Sequence, residues 1–115
     1  MAVSTTLKHV LRRFLVALTE YAGEQGWDTD DYQIYYWVNW NWDKIHILFV
    51  ATGFPNRSEF ENYVSVREYL QRKIADEPEL IRYLSLVVRS RKQLEEAGIS
   101  DIGMGYREYR PSARR

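Results

Sequence analysis

At 115 residues, 45% hydrophobic and 28% charged, the chain has the make-up of one folded domain, not of a disordered segment or a multidomain assembly. Its 16 basic and 16 acidic residues cancel, which argues against a strong global attraction to nucleic acid or an anionic membrane. With no cysteine there is no disulfide, no thiol chemistry and no cysteine-held zinc.

Glycine and proline are sparse and no repeat recurs, so a single domain over residues 1–115 is expected, with 111–115 as a frayed tail. Residues 1–6 lack the long apolar run of a signal peptide, and no stretch reaches the ~18–20 apolar residues of a membrane span. A cytoplasmic protein is the expectation. Charge is unevenly spread: Glu24 to Asp43 holds five acids and no base, whereas Arg82 to the end holds eight bases and four acids.

The first element is a helix from about Thr5 to Ala22. Leu7, Val10, Leu11, Phe14, Leu15 and Leu18 recur at helical spacing, while Lys8, Arg12 and Arg13 fall off that stripe. Ser4, Thr5 or Thr6 can cap its start, and Gly23 and Gly26 mark its exit. After an acidic loop comes an aromatic-rich β-hairpin, Tyr32 to Thr52. Strand alternation puts Ile34, Tyr36, Val38 and Trp40 on one face with Ile45, Ile47, Phe49 and Ala51. Tyr35, Trp37 and Asn39 take the other, with His46, Leu48 and Val50. The turn falls near Asn39 to Lys44. Both faces are apolar, so both call for a cover.

Ser58 and Glu61 form a capping box that opens a helix running to about Ala75, with Phe60, Tyr63, Val64, Leu70 and Ile74 inward. Asp76-Glu77-Pro78-Glu79 is a second helix start. The favoured reading is one helix from Glu77 to Ala97, ended by Gly98, although Leu86 then sits on its polar face. The competing reading makes Tyr83 to Val88 a buried strand, with Ser90-Arg91-Lys92-Gln93 capping a short helix. A last strand spans Met104 to Arg110.

The expected fold is α+β in the order α-β-β-α-α-β, a small sheet with helices mainly on one face. The same order occurs in KH-type and BolA-like domains, a resemblance of element order alone. The Gly-x-x-Gly loop with which KH domains clamp a nucleic-acid backbone has no counterpart in Asp76-Glu77-Pro78-Glu79.

Catalytic and metal-binding constellations are thin. His9 and His46 lie on different elements and form no metal-spaced pair. His46 could act as a general base with Asp43 or a loop Asp to orient it, but no partner is fixed by spacing. Asp28, Asp30 and Asp31 lack the glycine and distal glutamate of a calcium loop. Gly103-Met104-Gly105 is too short for a phosphate loop. No catalytic residue, metal ligand or cofactor is therefore assigned.

The aromatic sheet face is the stronger candidate, with Tyr35, Trp37, Trp40, His46 and Leu48 as interaction residues. An apolar face of this size is rarely left wet. It can be covered by the first helix, by a second copy in a dimer, or by a ligand stacked on the rings. The expectation is a small non-catalytic protein-interaction or homodimerisation module. The alternative is a nucleic-acid-binding domain, with Arg82, Arg89 and Lys92 as anion-binding residues on one face of the third helix.

Overall fold

A computed structural model describes residues 2–54, 58–96 and 105–110, with side chains from residue 7 onward. Helix α1 spans Ala2–Glu24. It starts upstream of the expected caps, so Ser4, Thr5 and Thr6 lie inside it. Its apolar stripe is buried as expected at Leu7, Val10, Phe14, Leu15 and Leu18, and continues through Tyr21 and Ala22. The exit turns on Gly26, whose φ of 79° is left-handed and costs glycine little. The Trp27 amide then donates back to the Ala22 carbonyl at 3.0 Å.

Strands β1 (Tyr32–Asn39) and β2 (Lys44–Ala51) form the antiparallel hairpin, pairing Ile34 with Phe49, Tyr36 with Ile47 and Trp37 with His46. This register realises the expected division of faces. Asn39 Oδ1 accepts from the amides of Asn41 and Trp42, at 3.2 and 3.3 Å, and fixes the start of the loop. Asp43, at φ 52°, closes it.

Helix α2 (Glu59–Lys73) begins at the capping box: Ser58 Oγ accepts from the Glu61 amide and Glu61 Oε1 from the Ser58 amide, both at 3.0 Å. Its inward face differs from the expectation. Leu70 and Ile74 are buried, but so are Val66 and Tyr69, and Phe60 is 70% exposed. The helix is rotated so that Tyr69 faces Tyr21 of α1, with ring centroids 5.2 Å apart.

The helix expected over Glu77 to Ala97 is instead three elements: a 3₁₀ turn (Pro78–Tyr83), strand β3 (Leu84–Ser90) and short helix α3 (Arg91–Glu96). The reason lies in residues 84–88. Leu84, Leu86 and Val88 alternate inward beside Ile45, Ile47 and Phe49 of β2, to which β3 pairs in parallel. A helix would have put Leu86 in water, whereas the strand buries it. Ser90 and Gln93 cap α3 reciprocally, the Gln93 amide donating to Ser90 Oγ at 3.0 Å. The α-β-β-α-α-β order shared with KH-type and BolA-like domains therefore does not hold, because a strand stands where the third helix was expected. The α+β class does.

Strand β4 (Arg107–Tyr109) pairs antiparallel with Ile34–Tyr36 of β1. Of the expected last strand and turn, Met104 and Gly103 lie outside the described residues, as do Gly98 and 111–115. The four strands run β3-β2-β1-β4 in a mixed sheet. α1 and α2 cover one face, where Phe14, Leu18, Ile34, Ile47, Phe49, Val66 and Leu70 form the centre of the core. Burying each such side chain stabilises the fold by about 1.5–3 kcal/mol. None of the described helices is long and apolar enough to cross a membrane.

Candidate functional site at the hairpin end

The aromatic excess divides into two groups. One is internal: Tyr21, Trp27, Tyr32, Phe49, Phe54 and Tyr69 meet mostly edge-to-face, with Trp27 and Phe54 centroids 5.1 Å apart. Such pairs add about 0.5–1.5 kcal/mol each beyond area burial. These rings hold the sheet to the helices. The second group lies at the hairpin's loop end, where Trp37, Trp40 and Trp42 are 41, 48 and 77% exposed.

The interaction residues expected from the sequence do not form one open face. Trp37 stacks on His46, its cross-strand partner, with ring centroids 4.6 Å apart and planes at 22°. Tyr35 pairs with Leu48, but Leu48 is buried, as is Val50 beyond it. Trp40 leaves the strand and stands in the loop. The face is thus covered toward Leu48 and Val50 and open toward Trp37.

On that covered side Arg91 of α3 reaches across to Gln33 of β1, Nη2 donating to Oε1 at 2.6 Å. Its Nε is buried and has no hydrogen-bond partner among the described residues. Burial, with Lys44 as a second cause, lowers the His46 pKa below the ordinary imidazole value and favours the neutral ring. Among the described residues no carboxylate hydrogen-bonds His46, so neither Asp43 nor an acidic-loop residue orients it.

Between α1 and the hairpin end lies a groove of about 610 Å³. Leu7, Lys8 and Leu11 of α1 make one wall. Tyr36, Trp37, Val38 and Trp40 make the other, and Gly105 and Arg107 close one end. Sequence reasoning missed this groove: the α1 wall and Arg107 were not among its interaction residues, and neither was the exposed Trp42 of the hairpin loop. The wall's position depends on contacts distant in sequence. Arg13 donates to Asp76 at 2.9 Å, to Glu77 and to the Lys73 carbonyl at 3.0 Å, while His9 meets Glu77 at 2.9 Å. These bonds clamp the middle of α1 to the end of α2. The Arg13 guanidinium in turn holds the Asp76 carboxyl below its ordinary pKa.

The proposed anion-binding residues are not brought together. Arg82 precedes β3 and Arg89 is near its far end, roughly 20 Å along an extended chain. Arg82 lies over the Tyr83 ring, and Arg89 Nε donates to Glu59 at 2.7 Å. Lys92 is exposed on α3. A helix would have aligned the three, whereas a strand separates them. Among the described residues no group of three metal-ligating side chains converges, Asp28, Asp30 and Asp31 included. Asp31 Oδ2 instead accepts from the Asp28 amide at 2.8 Å, bracing the loop.

Compared with known proteins, the chain matches no family model, no curated sequence and no solved structure.

Proposed function

We propose that the protein is a non-catalytic protein-interaction module that docks through the tryptophan-bearing end of its hairpin. The observation that carries this reading is the exposure of Trp37, Trp40 and Trp42 at one end of the sheet, beside an apolar groove. Indole rings supply a large, rigid, apolar surface, and interfaces concentrate their binding energy in such residues. A strand-loop-strand frame holds these three at fixed spacing. The internal aromatic cluster serves the core, whereas these indoles keep 41 to 77% of their surface exposed.

A second copy is the first partner to test. Sedimentation across a wide concentration range, with iodide quenching of tryptophan fluorescence, reads both association and its location. Self-association that shields the indoles and is weakened by Trp42→Ala supports the dimer. For another partner, a photo-crosslinker at position 42 is compared with one at Phe60, an exposed ring on α2. Finding neither self-association nor a crosslink particular to position 42 sinks the reading.

A further inference from the structure

We infer that the groove between α1 and the hairpin end receives an acidic, apolar peptide segment of a partner protein, with its apolar side chains on Leu11, Tyr36 and Val38 and its carboxylates on Lys8 and Arg107. This rests on the reading of the hairpin end as a contact surface and names the chemistry of what that surface takes.

Among the described residues the groove's lining includes two cations and no acid. Among the described residues, neither the Lys8 nor the Arg107 side chain is in an ion pair or a hydrogen bond. Arg13, Lys73, Arg89 and Arg110 each face a carboxylate within 4.0 Å, so Lys8 and Arg107 belong to the cations left without one. Two unneutralised cations beside an apolar trough set up a positive potential over it, which draws in acidic segments and rejects basic ones. The trough supplies affinity: about 610 Å³ lies within the ~300–1,000 Å³ of sites that enclose a ligand, and leaves room for more than one side chain. Trp37 and Trp40 are the rigid anchors along its wall.

A second copy fits the groove less well than a different protein. The chain's own acidic segment, Asp28 to Asp31, leads into β1, at the opposite end of the hairpin from Trp40 and Trp42. A copy inserting that loop leaves its own groove open to the next, which builds an open chain, not a closed dimer.

The test uses the full chain and fluorescence anisotropy of a labelled octapeptide alternating glutamate with leucine and phenylalanine. Two control peptides replace glutamate by glutamine, or the apolar residues by alanine. The acidic apolar peptide is expected to bind saturably, and each control at least about tenfold more weakly. The double charge reversal Lys8→Glu/Arg107→Glu, at two surface positions, is expected to weaken the acidic peptide at least about tenfold with the circular dichroism unchanged. Equal binding of the glutamine peptide, indifference to the charge reversal, or no saturable binding overturns the inference. So does concentration-dependent polymerisation abolished by Asp30→Ala, which gives the groove to a second copy. Loss of peptide binding with crosslinking at position 42 intact removes this inference alone; loss of both removes the contact-surface reading too.

Discussion

Gly53→Ala tests whether the internal aromatic cluster is as tightly built as its geometry implies. A Cβ at position 53 meets the Trp27 indole, 2.8 Å from Cε2 and 3.0 Å from Cδ1, with Nε1 nearer still. The ring has little room to retreat. Phe54 lies edge-on at 5.1 Å between centroids, Tyr21 at 5.9 Å and Phe49 at 6.3 Å. Overpacking of this kind costs about 1–3 kcal/mol. Opposing it, alanine restricts the unfolded chain, which stabilises by about 0.4–1 kcal/mol where the native backbone admits it. Gly53 is not in the left-handed region, so that gain applies here. The net expectation is a loss of about 1–2 kcal/mol. Urea denaturation measures it, and near-ultraviolet circular dichroism reports the displaced indole. In a Trp27→Ala background the obstruction is gone, so Gly53→Ala there should be neutral or mildly stabilising. A single substitution as stable as the parent, or an equal loss in both backgrounds, refutes the steric argument.

Two pH predictions follow from one buried and one half-buried ring. Burial first, then the hydrogen bond it donates to Glu24 Oε2 at 2.8 Å, push the Tyr69 hydroxyl up to about 12. An unfolded tyrosine ionises near 10, so between about 10 and 12 the unfolded state releases a proton that the native state keeps. Stability present below 10 is therefore lost as pH rises through that window. Tyr69→Phe should flatten this decline in denaturation measured across alkaline pH, while costing about 1 kcal/mol at neutral pH; an unchanged alkaline slope counts against it. His46 has the opposite sense, because its folded pKa lies below the ordinary value of about 6.5. The unfolded state then binds the extra proton first, so stability is full above about 6.5 and falls as the pH drops below it. His46→Gln should remove that part of the acid slope, and a slope indifferent to the substitution would show that the ring titrates freely.

The legible parts of this fold were those written in local periodicity. The α1 stripe, the capping box at Ser58 and the division of hairpin faces all come from residues a few positions apart, and the structure repeats them. Residues 84–88 defeated the local reading because the run is apolar at nearly every position and fits either period. What decides between them is β2, whose free edge takes β3 as a parallel neighbour, a contact across some 40 residues of chain. The groove was hidden for a related reason. Lys8 and Arg107 stand at opposite ends of the sequence, and the packing of α1, with its Arg13 clamp, and the β1–β4 pairing set them around one trough. Trp27 precedes the acidic residues Asp28, Asp30 and Asp31, yet its ring turns inward to Phe49 and Phe54.

Strand order explains why the hairpin's second face is closed at one place and open at another. β3 and β4 both run parallel to β2, since β1 is antiparallel to β2 and to β4. The chain therefore makes two parallel crossovers. The first, through α2, steps from β2 outward to β3. The second begins with α3 and leads from β3 on one edge to β4 on the other. Parallel crossovers are right-handed in nearly all proteins, and two of the same hand that travel in opposite directions must pass over opposite faces. α2 accordingly lies with α1 on the face of Phe49, while Arg91 at the start of α3 reaches Gln33 on the face of Trp37. Gln33 is near the end of β1 remote from the loop, and it is there that Val50, its partner, is buried. Trp37 and His46 lie toward the loop end, and Trp40 and Trp42 beyond it, where the indoles keep much of their surface. A ribbon with two apolar faces needs two covers. Helix α3 lies at one end of the ribbon's second face, and at the other end, where the tryptophans stay exposed, a partner has most apolar surface to gain.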